Sequence, residues 1–301
     1  MGRKPKTTPL QGVRILTLAL NLPGPAAVMR LQAMGAKCTK LEPLAPAKMP
    51  TADPMGVYKP AAYDVMHQGL TVLQADLKSE RGQQALHKQL VRTDVLITSF
   101  RPSALVKLGL AWKELHKRYP ALCVVSILGA PGERAEEAGH DLTYQAESGL
   151  LTGLDMPASL YADMAGSLCA TEAVLQALLL RQRPGKSQGK GVFQEVALSE
   201  ASSYLALPRN WGLTTPQGDV GGAHAGYKIY PCKNGRVAVA ALEPHFAARL
   251  CEAAGLGKEA AKQMHKPSTH MGIAKFLAEQ TRAQLNKLAS SQDIPLHTLP
   301  R

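Results

Sequence analysis

Cysteine is scarce in this 301-residue chain and badly spaced for chemistry. Cys38, Cys123, Cys169, Cys232 and Cys251 are odd in number, widely scattered and without CxxC or Cys/His ligand spacing. That pattern excludes a disulfide framework and a zinc site, and a reducing, cytoplasmic setting is the expectation. Aromatic residues make up only 5% of the chain, too few for the stacking platforms that single-stranded nucleic acid needs. The longest apolar runs, such as LCVVSILGA at Leu122–Ala130, fall far below the ~20 residues that span a bilayer, so no membrane partner is expected. A leader peptide is not expected either. Arg14 interrupts the apolar run after MGRKPK, no small-residue cleavage site precedes Pro23, and Lys6 stands where myristoylation wants Ser or Thr.

Acidic charge is also in deficit. Lys and Arg total 35 against 23 Asp and Glu, a net charge of +12, which suits any polyanionic partner, including a phosphorylated small molecule. The basic residues gather in Lys78–Arg118 and in RQRPGKSQGK at Arg181–Lys190. With aromatics so few, nucleic acid is not the expected partner.

The first 130 residues alternate strand and helix patterns. VRILTL (Val13–Leu18) reads as a buried strand, PAAVMRLQAM (Pro25–Met34) as a helix with Pro at its first position, and KCTKLE (Lys37–Glu42) as the next strand. A helix begun by Ser79, a strand DVLITSF, a helix WKELHKRY and a strand LCVVSIL follow. This order predicts an α/β fold with a doubly wound, Rossmann-like large domain. The first turn, LNLPGPA, holds one glycine where a dinucleotide fingerprint needs GxGxxG, so an NAD or FAD site is not supported. A long helix is predicted over Ala162–Arg183, then the strand GVFQEVAL and the helix SEASSYLAL. The predicted large domain spans residues 1–213, a glycine-rich linker 214–225, and a smaller α+β domain 226–301 opening on a hairpin at Asn234-Gly235, with helices to the end.

Three acidic or imidazole positions could carry chemistry. Asp163 starts the long helix, where it reads as an N-cap, and the helix dipole would keep such a carboxylate ionised and able to act as nucleophile or base. Asp141 reads as a cap for Leu142–Ser148 with His140 before it, structural or catalytic; Glu243, ahead of Pro244, reads as a surface acid or a functional one.

Together the motifs carry a resemblance. PLQGVRIL, GAKCTKLEP, LKSERGQQ, DVLITSFRPSALVKLGL, GHDLTYQAESGLL, YADMAG and ALEPHF stand in the order and spacing of the family III CoA-transferase superfamily (CaiB/BaiF type), which the chain resembles over nearly its entire length. That superfamily includes α-methylacyl-CoA racemases, and His140 and Glu243 match the racemase pattern more closely. The resemblance implies Asp163 as the shared acid, a nucleophile in transferases and an acid/base in racemases. It implies His140 as its partner and Glu243 as the carboxylate that orients the imidazole. It places Lys40, Arg101 and Lys107 by the nucleotide part of CoA, and Asp141 and Tyr144 near the pantetheine. The implied substrate is an acyl-CoA, with CoA as part of the substrate, no prosthetic group or metal, and a homodimer as the assembly.

The chemistry accounts for the residue types. Inverting the α-carbon of a 2-methylacyl thioester needs a proton removed on one face and returned on the other, hence two titrating groups about one carbon. The alternatives are a CoA transferase, in which Asp163 forms an acyl anhydride, and a non-catalytic CoA-binding paralogue. Three departures from the family pattern stand out: FRPS at Phe100–Ser103 in place of FRPG, the segment MPTADPMGVYKPAAY without the usual acidic and arginine features, and a C-terminus at DIPLHTLPR without the usual returning tail.

Overall fold

Apolar residues alternating along parallel strands build the larger sheet. The computed structural model describes residues 8–185 and 188–301, so Lys6 and the 186–187 part of the second basic cluster lie outside the described residues. Two compact units meet in sequence at Ala206 and Leu207. The first contains β1 (Arg14–Thr17), α1 (Pro23–Ala33), β2 (Lys37–Glu42), α2 (Pro54–Tyr58), α3 (Pro60–His67), β3 (Thr71–Gln74), α4 (Glu80–Leu90), β4 (Val95–Thr98), α5 (Pro102–Lys107), α6 (Trp112–Arg118), β5 (Cys123–Leu128), α7 (Asp141–Glu147), α8 (Tyr161–Gln182), β6 (Phe193–Ala197) and α9 (Leu198–Leu205).

The six strands are all parallel, in the order β3-β2-β1-β4-β5-β6. This is the doubly wound order that reverses direction between β1 and β4. Successive side chains of a strand point to opposite faces. Ile15, Val95, Ile97, Val125 and Ile127 therefore join one core with α1 and α8, while Leu16, Leu96 and Val124 join another with α4, α5 and α6. The expected α/β architecture is observed.

α8 is the main helix of the first core. Ala170, Ala173, Val174 and Ala177 are buried, small side chains that let the helix lie close to α1, β5 and β6. Its 22 residues are also long and apolar enough to cross a bilayer by length and composition, and half of that apolar window is buried inside the fold.

The second unit contains α10 (Leu207–Asn210), β7 (Tyr227–Cys232), β8 (Gly235–Ala240), α11 (Pro244–Ala253), α12 (Pro267–Ala278), α13 (Arg282–Gln292) and β9 (Leu296–Leu299). The predicted hairpin forms, with Cys232 paired to Gly235 across the turn. β9, unforeseen as a strand, pairs antiparallel with β8. Residues 214–225 are not a free linker: Ala225 N–H donates to Met264 C=O at 2.9 Å and the His270 ring meets Ala223 C=O at 3.0 Å, which fastens the stretch to the second unit.

Candidate active site

A cavity of about 200 Å³ opens at the carboxyl ends of β1, β4 and β5, lined among others by Asn21, Arg101, Gly129, His140, Tyr144 and Asp163. It stands where the strand order reverses, the crevice in which open α/β sheets bind ligands. Larger hollows exist in the first unit, one of about 530 Å³ along Leu150–Tyr161 and Leu205, but the smaller cavity combines an imidazole, a buried carboxyl, a phenol and a guanidinium.

Asp163 is the third residue of α8 and is 7% exposed. Its side chain does not cap the helix, so the N-cap expectation is corrected. Its acidity is corrected too. Burial first, and the Asp141 carboxylate second, push it up from 3.8 to about 7; loss of water outweighs the helix dipole, whose effect is modest. The carboxyl accepts no hydrogen bond from any described residue, whereas Asp163 N–H donates to Asp141 Oδ1 at 3.0 Å. Asp141 is itself buried, its Oδ2 accepting from Gln145 Nε2 at 2.5 Å. Asp141 thus holds the start of α8 in place and is absent from the residues lining the cavity.

His140, not Asp141, occupies the N-cap position of α7. The turn is closed by Thr143, whose hydroxyl donates to His140 C=O at 2.8 Å and accepts from His140 N–H at 3.1 Å. Because the threonine performs the capping, the imidazole is left exposed at the cavity with no hydrogen bond to any described residue. Tyr144, one turn on, is buried against Gly129 and Gly139, where any Cβ would collide with its hydroxyl. Burial, then the Asp163 and Glu147 carboxylates, raise the phenol above its usual range, while Arg101 and Arg134 oppose them.

Arg101 precedes α5 and is exposed at the cavity, with no ion pair among the described residues. Lys107 closes the same helix, also exposed. The serine of FRPS has a visible role. Glu136 accepts from Ser103 N–H at 2.7 Å and from its hydroxyl at 2.8 Å, and those bonds, with the charges of Arg101 and Lys107 nearby, hold Glu136 below the usual carboxylate range. A neighbouring hollow of about 490 Å³ is lined by Leu77, Lys78, Phe100 and Leu108. Phe100 and Arg101 are consecutive, so the two hollows flank one strand end.

Lys40 is not a cofactor contact in this fold. It is wholly buried, and its ammonium meets Asp53 Oδ2 at 2.5 Å, Glu42 Oε2 at 3.2 Å and His67 Nε2 at 2.8 Å. All three of its donors are used. His67 Nδ1 meets Tyr63 C=O at 2.6 Å, the tautomer that leaves Nε2 to accept from lysine. Burial, with Lys40 beside it, keeps the ring below its usual range and so neutral. The segment Met49–Tyr63, lacking the family's usual features, supplies Thr51, Asp53 and Tyr63 to this cluster.

Glu243 belongs to the second unit, exposed at the N-cap of α11 without a capping bond. The structure therefore brings His140, Asp163, Tyr144 and Arg101 to one cavity within the first unit. It also adds Asn21 to the lining and, hydrogen-bonded to it, Tyr58, both of which sequence reasoning missed. Asn21 has a left-handed backbone (φ 68°) and accepts a hydrogen bond from the Tyr58 hydroxyl. Its only signal in the sequence was an asparagine in a strand-to-helix turn, a residue that tolerates φ > 0.

The sequence pattern of CoA-transferase family III matches residues 10–300. Alpha-methylacyl-CoA racemase of Homo sapiens is 29% identical over 306 residues, covering 94% of this chain and 76% of that protein. Succinate–glutarate CoA-transferase of Agrobacterium fabrum is 30% identical over 281 residues, covering 85% of this chain and 68% of that protein. Among solved structures, a hypothetical protein from Mycobacterium tuberculosis superposes with a TM-score of 0.81 at 22% identity, covering 96% of this chain and 83% of that one. A CaiB/BaiF family protein from Brucella suis gives 0.78 at 24% identity, covering 98% and 85%.

Proposed function

The chain belongs to CoA-transferase family III, and from that premise we propose that it epimerises the α-carbon of a 2-methylacyl-CoA by proton transfer between His140 and Asp163. The observation that carries this reading is the Asp163 carboxyl, raised to about 7 by burial and by Asp141 and sharing one cavity with an unpartnered imidazole. A general acid or base works best when its pKa lies near the working pH. At neutral pH the carboxyl is protonated in a large share of molecules, the state an acid needs and a nucleophile does not.

In one direction the imidazole of His140 removes the C2 proton, the electron pair passes to the thioester carbonyl as an enolate, and the Asp163 carboxyl returns a proton to C2 from the other side. The pair ends as imidazolium and carboxylate. Reversal uses the same two groups in exchanged roles. CoA would run along the carboxyl ends of the strands, its pyrophosphate near Arg101 and Lys107 and its adenosine against Phe100, Leu77 and Lys78. A homodimer in the cytoplasm would be the working form.

A CoA transferase is the second reading, favoured by the lack of any hydrogen-bond partner on the Asp163 carboxyl and by the succinate–glutarate transferase among the relatives. There Asp163 would attack the donor thioester and release CoA thiolate, leaving an acyl anhydride. The separating experiment follows deuterium entering C2 of 2-methylbutanoyl-CoA in deuterium oxide. The racemase reading expects one deuteron per molecule, lost in His140→Ala. CoA transfer between acids that survives His140→Ala, without any C2 label, would establish the transferase instead.

A further inference from the structure

Among the cavity's polar groups to which neither reading gives a task, one stands in an unusual backbone. Asn21 lies in the turn between β1 and α1 and is one of three non-glycine described residues with positive φ, at 68°. Such a backbone is sparsely populated outside glycine, and residues of this kind gather at functional sites. Here the holding groups are visible. Asn21 N–H donates to Asp53 Oδ1 at 3.0 Å, and Asp53 is fully buried, with Met55 N–H on Oδ1 at 2.9 Å and the Lys40 ammonium on Oδ2 at 2.5 Å. The buried charge cluster therefore anchors one wall of the cavity.

The side chain is oriented as well. The Tyr58 hydroxyl donates to Asn21 Oδ1, which leaves the two Nδ2 hydrogens without a partner among the described residues. Tyr58 stands within the field of Asp163, whose charge, after burial and Asp53, helps to raise the phenol. A half-buried amide donor, fixed through both its backbone and its carbonyl, thus lines the same small cavity as the unpartnered carboxyl and imidazole.

We propose that Asn21 is a catalytic residue that donates from Nδ2 to the carbonyl oxygen of the bound thioester. The inference rests on the acyl-CoA reading and applies to both of its branches, since enolate formation and acyl transfer alike put negative charge on that oxygen. An amide held in advance by Asp53 and Tyr58 stabilises that charge without reorganising.

Titration calorimetry with 2-methylpropanoyl-CoA and with its thioether analogue, in which a methylene replaces the carbonyl, tests this by binding. The wild type binds the thioester about tenfold more tightly, the worth of one hydrogen bond. Asn21→Gly accepts the left-handed backbone, removes the carboxamide together with its Cβ and binds the two ligands equally. Asn21→Asp, which puts an acceptor where the donor was, also loses the preference. A tenfold preference retained in Asn21→Gly, or none in the wild type, overturns the assignment while leaving the CoA site intact. Failure of the wild type to bind either ligand overturns the acyl-CoA reading itself, and this inference with it.

Discussion

Two clusters of ionisable side chains lie in the first unit, and they differ in whether their charges are answered. Around Lys40, the ammonium has three acceptors, Glu42 accepts from Thr51, Tyr63 and Gln74, and Asp53 accepts from two backbone amides. Around Asp163, the carboxyl, the His140 ring and the Arg101 guanidinium have no hydrogen-bond partner among the described residues, and a cavity stands before them. A buried charge is tolerated when paired and costly when it is not. The first cluster has spent its bonding capacity on holding the fold, whereas the second has not. The contrast separates a lysine whose three donors are taken up by the fold from an arginine after β4 whose guanidinium is unpaired among the described residues.

The largest expected effect lies in the unanswered cluster. Asp163→Ala should lower C2 proton exchange by at least about 10³-fold, measured by mass spectrometry in deuterium oxide, with the thermal transition retained. In the answered cluster, Lys40→Met should leave two buried carboxylates without their cation and cost about 3–5 kcal/mol in urea unfolding, while CoA affinity keeps the salt dependence of the wild type. Unchanged stability with weakened CoA binding would erase the distinction between the clusters.

Smaller effects sharpen the contrast. The folded Asp163 carboxyl keeps its proton up to about 7, whereas the unfolded chain releases it near 3.8. The stability this proton contributes is complete below 3.8 and lost as pH rises through about 7. Asp163→Asn, which cannot ionise, should therefore match the wild type in acid and exceed it above pH ~7 by about 1–3 kcal/mol, read from denaturant titrations across that range. Arg101→Gln should weaken CoA binding about tenfold with a shallower salt dependence, and alter stability by less than about 0.5 kcal/mol.

Much of the scaffold was legible in the sequence because its signals are local. β2 spans Lys37–Glu42, the range its pattern predicts, and α8 and the Asn234-Gly235 hairpin fall within a residue or two of expectation. β3 went unseen: TVLQ is short and mostly exposed at the sheet edge, so it carries no alternation. α2 and α3 were hidden by prolines, which in the fold sit at their first turns. His140 and Asp163 were singled out by motif, yet the acidity of Asp163 was misjudged, since a helix position says nothing of how deeply the folded chain buries it. Lys40 was misread for a similar reason. Whether a strand lysine faces solvent or a cage of acids depends on Thr51–His67, a segment distant in sequence whose partners no periodicity reveals. Asn21 gave no signal beyond its residue type, because its conformation is imposed by Asp53 from outside the turn.

The central claim is that burial keeps the Asp163 carboxyl protonated near neutrality. An infrared difference titration of the protonated-carboxyl band, assigned by its loss in Asp163→Asn, measures this directly. A midpoint near 7, falling when Asp141→Asn removes the neighbouring charge, is the predicted result. A midpoint near 3.8, unmoved by that substitution, would contradict it.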